Sequence, residues 1–384
     1  MNHRHLDSPP RTQDPSLPAS PRSDPASRTR QVIALGGEGV GPEVVDAACE
    51  LMVAAKFPVE ITMPPHGEAA VRAHGAALPD ETRRLCGKAD GILFGAAGGP
   101  ATSAVVAYLR WQQDAYANVR PIKYYEGARS PLVDPRGIDF VIVRENMEGL
   151  YPAREGELAE LARALPDLRD RVGHHLGEYG EGTFAVKVVS RRGTERIARF
   201  ACELARRRKV RGHGGKVTCI TKSNVLHRSD GLFQRVAEEV VQAYPELAFE
   251  HFYVDDGARR LVRFPQSMDV VLAMNLYGDI LSDLAAEAAG GLGIAPSGCF
   301  GERWAYFESV HGSAPDIAGK GLANPTATIL SSALMLEHMG LTSEAARLEA
   351  AVARVYREAR ALTVDQGGTA TTRQFAQAVL AALE

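Results

Sequence analysis

Short apolar runs alternate with segments of helical periodicity along most of the chain. Strands are predicted over Gln31–Leu35, Gly91–Ala96, Asp139–Val143, Phe184–Ser190, Lys216–Thr221, Ala248–Val254 and Asp269–Met274. Helices are predicted over Arg191–Arg207, Asp230–Tyr244, Asp279–Ala289, Pro325–His338, Ser343–Leu362 and Thr372–Leu383. Strands that alternate with helices in this way are typical of an α/β protein with a mainly parallel sheet.

Three local signals refine this pattern. Pro42, just after the first strand, suits the first turn of a helix. Thr371 and Gln374 have the spacing of a capping box at the start of the last helix. The polar stretch Glu155–Glu178 is rich in Leu, Ala and Arg, which predicts a helical insertion on the surface.

The first thirty residues differ in composition from the rest. They are rich in Pro, Ser and Arg and contain no aromatic residue, so they cannot bury enough apolar surface to offset their ordering entropy. They lack the apolar core of a signal peptide, and Asp7, Asp14 and Asp24 count against a transit peptide. We expect residues 1–30 to be a disordered extension, or the product of a start site assigned too far upstream.

Composition narrows the function classes. The chain has 384 residues, enough for two domains, and a net charge of −3, which argues against a nucleic-acid or anionic-membrane binder. It has no apolar stretch long enough to span a bilayer. Its five cysteines are scattered and form no CxxC pair, which favours a reducing cytoplasm over a disulfide or zinc framework.

Acidic side chains form two candidate sites. Asp279 and Asp283 are spaced i and i+4, so they share one helix face, where two carboxylates suit Mg²⁺ or Mn²⁺. Asp255 and Asp256 follow a predicted strand, at the end where α/β sheets place their ligands. Taken alone, these acids are better explained by a solvated helix face and by a solvated turn or helix cap.

Basic and phenolic side chains form a second candidate set. Arg110, Arg120 and Arg144 carry planar forks that bind carboxylates, although each alone also suits surface charge. Lys222 ends an apolar strand and is a candidate for proton transfer, against the alternative of a solvated strand end. Tyr151 is a candidate proton donor, or a packing residue.

A loop rich in small residues runs from His311 to Pro325 and lets backbone N–H groups approach a ligand. The usual dinucleotide fingerprint GxGxxG is absent from the chain.

In combination these features resemble the isocitrate/isopropylmalate dehydrogenase family, the β-decarboxylating (2R)-hydroxyacid dehydrogenases. The resemblance runs from about Val32 to the C-terminus. It is carried by five segments in the family's order: Gly37–Val44, Leu109–Pro121, Val143–Tyr151, Asn275–Asp283 and His311–Pro325.

The resemblance implies a role for each candidate residue. Arg110, Arg120 and Arg144 would bind the carboxylates of a malate derivative, and Asp255, Asp279 and Asp283 would hold Mg²⁺ or Mn²⁺, a Lewis acid for the C2 oxygen. Lys222 would accept the hydroxyl proton, and Tyr151 would help to protonate C3. The implied cofactor-binding residues are Asn224, His311, Gly312, Ser313, Ala314, Asp316 and Asn324.

The resemblance also implies an architecture and a cofactor. The expected fold has two domains with parallel or mixed sheets flanked by helices: residues 31–115 with 290–384 bind the nucleotide, and residues 116–289 carry the metal site and the dimer contact. In a homodimer of this type Lys222 and Asp255 come from the partner chain. Asp316 favours NAD, because a carboxylate binds a ribose 2′-hydroxyl and repels a 2′-phosphate.

The substrate is less narrowly defined. Ala104 and Val106 stand where isocitrate enzymes carry Ser and Asn, and the neighbouring Val105, Ala107 and Leu109 are apolar, which favours a 3-isopropylmalate-like substrate. Tartrate or D-malate comes next, then isocitrate or homoisocitrate. A regulatory subunit without activity is the alternative from another class, but such subunits typically lose the lysine, the tyrosine or the metal-binding acids.

Overall fold

The computed structural model describes residues 28–384. Its strands are β1 (Arg30–Gly37), β2 (Val59–Thr62), β3 (Gly91–Ala96), β4 (Ala117–Lys123), β5 (Asp139–Glu145), β6 (Glu155–Glu157), β7 (Thr183–Ala185), β8 (Lys216–Thr221), β9 (Ala248–Tyr253), β10 (Val270–Ala273), β11 (Pro296–Phe300) and β12 (Ala305–Ser309).

The helices lie between and around these strands. They are α1 (Gly41–Ala54), α2 (Gly67–His74), α3 (Asp80–Cys86), α4 (Pro100–Ala107), α5 (Leu158–Ala164), α6 (Arg191–Val210), α7 (Ser229–Val241), α8 (Val254–Arg263), α9 (Asn275–Ala289), α10 (Thr326–His338), α11 (Thr342–Glu358) and α12 (Thr372–Leu383).

Ten strands form one mixed sheet in the order β2-β1-β3-β12-β11-β4-β5-β10-β8-β9. The two outer parts are parallel, while the central pairs β12–β11, β11–β4 and β4–β5 are antiparallel. The α/β prediction is therefore confirmed, with antiparallel strands at the centre. The five strands on the β2 side come from residues 30–96 and 296–309, and the other five come from residues 117–273.

Side-chain alternation gives the centre of the sheet two different faces. In the β4–β5 register Asn118 lies opposite Arg144, and Val119 lies opposite Val143. Because successive residues point to opposite faces, the arginines of both strands project to one side and the valines to the other. Helix α9 covers the first side through Leu281 and its neighbours, while α6, α10 and α11 cover the second.

Most predicted elements agree with the structure. Strands Gly91–Ala96 and Lys216–Thr221 and helix Thr372–Leu383 have the predicted bounds. Thr371 Oγ1 accepts a hydrogen bond from the Gln374 N–H at 3.2 Å, and the Gln374 side chain accepts one from the Thr371 N–H at 2.9 Å, so the capping box is confirmed.

The surface insertion is not helical throughout. Only Leu158–Ala164 forms an α-helix, followed later by a 3₁₀ turn at Leu176–Tyr179. Pro166 disfavours helix at the residue before it, and Gly173 has a φ of +96°, which ends regular structure there. The predicted strand Phe184–Ser190 is found only in part: Thr183–Ala185 pairs with Glu155–Glu157 in a two-stranded sheet, and Val188 forms an isolated bridge with Gly149.

Strand β4 was not predicted, because a proline interrupts its apolar run. Pro121 is tolerated since β11 pairs with β4 only as far as Val119, so the missing N–H faces no ladder partner there. Helix α9 begins at Asn275, four residues before its predicted start. Both differences concern elements that carry candidate site residues.

Residues 28–30, which were assigned to the tail, belong to the described part of the chain. Arg30 is the first residue of β1, and Arg28 forms an ion pair of 2.5 Å with Asp90. Residues 1–27 lie outside the described part of the chain. Within residues 28–384 no helix is both long and apolar enough to cross a membrane.

Candidate functional site

Arg144 is the most buried charged residue of the candidate site, with 1 % of its surface exposed. It ends the apolar part of β5, and its Nε and Nη2 donate hydrogen bonds to Asn275 Oδ1 at 3.0 and 2.8 Å. Its Nη1 forms an ion pair with Asp279. Burial and the charge of Arg120 lower the pKa of Arg144 to about 10.

Arg120 projects from the neighbouring strand toward the same carboxylate. Its Nη2 lies 3.2 Å from Asp279 Oδ1, and its Nη1 donates to Ser282 Oγ at 2.5 Å. Its Nε donates to Asn118 Oδ1 at 2.7 Å. Its own strand, through Asn118, and helix α9 therefore fix this arginine in place.

Asp279, near the start of α9, is the carboxylate that both guanidinium groups contact. Tyr151 Oη also donates a hydrogen bond to this carboxylate, and the Arg144 guanidinium lies 4.7 Å from the Tyr151 ring. Burial alone would raise the pKa of Asp279, but Arg144 and Arg120 outweigh it and hold the pKa below its ordinary value. Burial and the bond to Asp279 raise the pKa of Tyr151, which keeps the phenol protonated.

The approach of α9 to β5 depends on Gly278. A Cβ at this position would lie 2.7 Å from Cβ of Arg144, closer than side chains approach one another. Asn275, Ser282 and Gly278 were not assigned roles from the sequence. They flank the two aspartates within one motif, and that spacing is the signal that could have identified them.

Asp283 lies one turn after Asp279, with its side chain 53 % exposed. Its Oδ1 is 3.5 Å from Arg120 Nη1, so most of its lone pairs face solvent. Asp283 has open oxygen positions, whereas both oxygens of Asp279 already accept bonds from Arg144, Arg120 and Tyr151. Two carboxylates one helical turn apart fit Mg²⁺ or Mn²⁺, which retain water and substrate oxygens as further ligands, provided that Asp279 exchanges one of these bonds for the cation. Within residues 28–384 no group of three acidic, His or Cys side chains could hold a metal ion.

Asp255 is separate from this pair and contacts Lys222 instead. Lys222 Nζ donates to Asp255 Oδ1 at 2.5 Å, and both side chains are accessible, at 28 % and 69 % exposed. The Lys222 bond is the largest influence on the Asp255 carboxyl and lowers its pKa. Asn224 is exposed in the turn that follows Lys222.

Arg110 lies in a π-helical turn, Tyr108–Gln112, that follows α4. Such turns are frequent at functional sites. Its Nη2 forms an ion pair with Glu308 at 3.2 Å, and its Nε donates to Tyr306 Oη at 3.2 Å. Burial opposes the charge, but Tyr306 and Glu308 outweigh it and raise the pKa of Arg110 well above its ordinary value. Neither partner was identified from the sequence, because strand β12, which carries both, was not predicted.

The segment before Arg110 has two faces. Val105 and Leu109, read from the sequence as substrate-facing, are fully buried in a core cluster with Phe94. Helical periodicity turns them inward, so that part of the prediction is wrong. Val106 and Ala107 are half-buried, and Ala104 is exposed, so these three remain accessible.

The loop from His311 is tied to the chain's first glycine motif. The Val40 N–H donates to the Ser313 carbonyl at 2.9 Å. A Cβ on Gly39 would lie 1.9 Å from that carbonyl oxygen, and Gly39 has a φ of +63°, so only glycine fits. Ala314 is exposed and also left-handed, with a φ of +38°.

Polar groups in this loop fit an adenine dinucleotide. His311 Nε2 is buried and has no hydrogen-bond partner within the described chain. The Asp316 carboxylate is exposed and makes no hydrogen bond to residues 28–384, while its backbone carbonyl accepts one from Lys320 Nζ at 2.7 Å. A Cβ on Gly312 would meet no atom within 4 Å, so the loop there is open to a ligand.

Unlike His311 and Asp316, Asn324 has hydrogen-bond partners within the chain for both the nitrogen and the oxygen of its side-chain amide. Its Nδ2 donates to Asp365 at 2.9 Å and to Tyr356 Oη at 3.2 Å. Its Oδ1 accepts from the backbone and side chain of Thr326. These bonds fix the end of the loop.

Comparison with known proteins identifies the family of the chain. The model of the isocitrate/isopropylmalate dehydrogenase family matches residues 31–379. The chain belongs to this family. It is therefore a decarboxylating hydroxyacid dehydrogenase.

Three similar proteins illustrate the range of the family. The 3-isopropylmalate dehydrogenase of Archaeoglobus fulgidus is 41 % identical over 355 residues, covering 92 % of this chain and 100 % of the relative. The 3-isopropylmalate/3-methylmalate dehydrogenase of Methanocaldococcus jannaschii is 42 % identical over 350 residues, covering 91 % and 97 %. The structure of isocitrate dehydrogenase from Methylococcus capsulatus matches with a TM-score of 0.79 and 35 % identity, covering 92 % and 99 %.

Glu145, next to Arg144, gives a prediction about pH. Burial raises its pKa from 4.5 to about 7, although the N–H groups of Met147 and Glu148 donate to its carboxylate. Between these pH values the folded chain holds a proton that the unfolded chain releases, so stability falls as pH rises. Replacing Glu145→Gln removes this fall.

Urea denaturation of both proteins from about pH 4.5 to about pH 8 measures the effect. The stability of the wild type relative to Glu145→Gln should decline by roughly 3 kcal/mol over this range. Parallel curves would contradict the raised pKa.

Proposed function

We propose that the protein catalyses the NAD- and metal-dependent oxidative decarboxylation of a (2R)-malate derivative, with a 3-isopropylmalate-like substrate as first choice. The observation that carries this proposal is the shared contact of Arg144, Arg120 and Tyr151 with Asp279. It brings together two guanidinium groups, a carboxylate and a phenol, which are the groups that the proposed reaction needs.

The arginines bind and orient the substrate. Arg144 and Arg120 present guanidinium groups from adjacent strands, and Arg110 approaches from the π-helical turn. Bidentate bonds to the malate carboxylates would fix the C2–C3 bond in one orientation, which lowers the entropic part of the barrier. Val106, Ala107 and Ala104 would then face the C3 substituent.

The carboxylates of Asp279 and Asp283 hold the divalent cation. When bound, the cation supplies Lewis-acid polarisation of the C2 oxygen and balances the negative charge that develops during decarboxylation. The ion pairs of Asp279 keep that carboxylate ionised and aimed into the site before any ligand arrives.

Lys222 and Tyr151 move the protons. Lys222 Nζ would accept the proton of the C2 hydroxyl, directly or through water, during the oxidation for which NAD, when bound, would supply the hydride acceptor. After CO₂ leaves, Tyr151 Oη gives a proton to C3. The raised pKa of Tyr151 keeps that proton on the phenol at neutral pH.

A homodimer with shared sites completes the constellation. Lys222 and Asp255 are accessible and do not join the Asp279 cluster of their own chain. Exposed apolar side chains lie nearby in sequence: Val225 at 45 %, Leu226 at 38 % and Tyr253 at 41 % exposed. Clustered apolar exposure of this kind marks protein interfaces. We propose that this surface inserts Lys222 and Asp255 into the partner's site.

NAD is the proposed cofactor, bound by the His311–Asn324 loop and by Asn224 near the nicotinamide. The free carboxylate of Asp316 supports NAD over NADP, since it accepts hydrogen bonds from a 2′-hydroxyl and repels a phosphate. Residues 31–115 with 290–384 then form the nucleotide domain, and residues 116–289 form the second. The five buried, unpaired cysteines support a reducing compartment, the cytoplasm.

The first prediction concerns substrate and cofactor. With Mn²⁺ present, NADH production should be fastest with 3-isopropylmalate among 3-isopropylmalate, D-malate, tartrate, isocitrate and homoisocitrate. The accessible apolar face of Val106 and Ala107 is the reason, because it offers no partner to a further carboxylate. Initial rates should favour NAD over NADP. Faster turnover of isocitrate would overturn the substrate assignment. A preference for NADP would overturn the cofactor assignment.

The second prediction concerns the shared sites. Lys222→Met and Asp283→Asn should each abolish activity, because each removes one group from every site. When both variants are co-expressed, half of the dimers are mixed, and one of their two sites is intact. Activity should return to about one quarter of the wild type.

The matched control co-expresses Asp283→Asn with Asp279→Asn, two positions of the same helix α9, so that every mixed dimer has two defective sites and no activity should return. Absence of complementation between Lys222→Met and Asp283→Asn, with both variants folded and dimeric, would show that each chain builds its own site.

A further inference from the structure

A cavity of about 330 Å³ lies on the face of β4 and β5 opposite the arginine–aspartate site. Its floor contains Val119 and Val141, whose strand neighbours Arg120 and Ile142 point to the other side. Its walls come from α6, α10 and α11. The cavity is within the size range of small-molecule sites, and the proposed mechanism does not use it.

Charged residues line the rim, and each of the three lining carboxylates is paired. Glu349 binds Lys123 at 2.6 Å, Glu337 binds Arg211 at 2.6 Å, and Asp139 binds Arg208 at 3.1 Å. Arg208 also pairs with Asp269 at 2.6 Å, behind the cavity wall. The internal charges of the rim are therefore satisfied.

Arg207 is the exception among the lining cations. It is half-buried, and its guanidinium forms no hydrogen bond or ion pair with any residue from 28 to 384. Burial lowers its pKa, since the loss of hydration is not repaid by a bonded partner. The carboxylates of Glu203 and Glu337 act on its charge, but each bonds another arginine, Arg206 and Arg211 respectively. A bound anion would give Arg207 a bonded counter-ion of its own.

We propose that this cavity binds a small monocarboxylate with an apolar body. The carboxylate would pair with Arg207, and the apolar part would cover the floor and the side chains of Leu334 and Ala346. One unpaired guanidinium calls for one negative charge, which favours a monoanion over a phosphate ester. Because α6 and α10 would both contact the ligand, its binding would link residues 116–289, which include α6, to residues 290–384, which include α10.

Calorimetric titration of the full chain with 4-phenylbutyrate tests the proposal. The wild type should bind one molecule per chain with a Kd below about 1 mM. The neutral analogue 4-phenylbutyramide should bind at least about tenfold more weakly. No substrate is present, so the result is independent of the proposed activity.

Two variants locate the site. Arg207→Gln should weaken binding about tenfold by removing the charge. Ala346→Trp should abolish it, because an exposed residue at the cavity mouth is replaced by one that fills the space. The matched control is Arg192→Gln, which removes an exposed arginine of α6 that does not line the cavity and should leave the Kd unchanged.

Three results would overturn the proposal: no saturable binding of 4-phenylbutyrate, equal binding of the amide, or unchanged binding in both Arg207→Gln and Ala346→Trp. The last would place the carboxylate elsewhere, for example on the arginines of the opposite face. Circular dichroism of each variant confirms that it is folded.

Discussion

The contact of one carboxylate with two buried guanidinium groups is the constraint on which the site depends. Asp279 lies between Arg144 and Arg120, and these three charges are held by neutral partners such as Asn275 and Ser282. Buried charges are tolerated only when paired and hydrogen-bonded. In the proposed reaction the guanidinium groups would bind an anionic substrate and the carboxylate would bind a cation. Until such ligands bind, these opposite charges neutralise one another.

The mixed sheet makes this contact geometrically possible. Antiparallel β4 and β5 place Asn118 opposite Arg144, so arginines from two strands reach one face. The missing side chain of Gly278 then lets α9 approach β5 closely. On the opposite face the same strands present valines and form a separate cavity. The sheet thus separates the arginine–aspartate site from a cavity with an apolar floor by the thickness of a single layer of strands.

The features that were predicted correctly from the sequence are those that depend on residues close together in the chain. The spacing of Asp279 and Asp283 and the capping box at Thr371 are short-range patterns, and the structure retains both. Glu308 and Tyr306 were missed because they reach Arg110 across nearly 200 positions of chain. Strand β4 was missed because its proline is acceptable only where β11 has stopped pairing. Val105 and Leu109 were misread because apolar residues serve a core and an apolar substrate equally well.

Calorimetric titration with Mn²⁺ tests the central claim most directly, namely that Asp279 and Asp283 form a cation site. Glu287 provides the control, because it lies one further turn along the same face of α9 and is exposed. The account predicts that Asp283→Asn loses the Mn²⁺ binding seen in the wild type, while Glu287→Gln keeps it. Equal binding in all three proteins, or loss confined to Glu287→Gln, would contradict it.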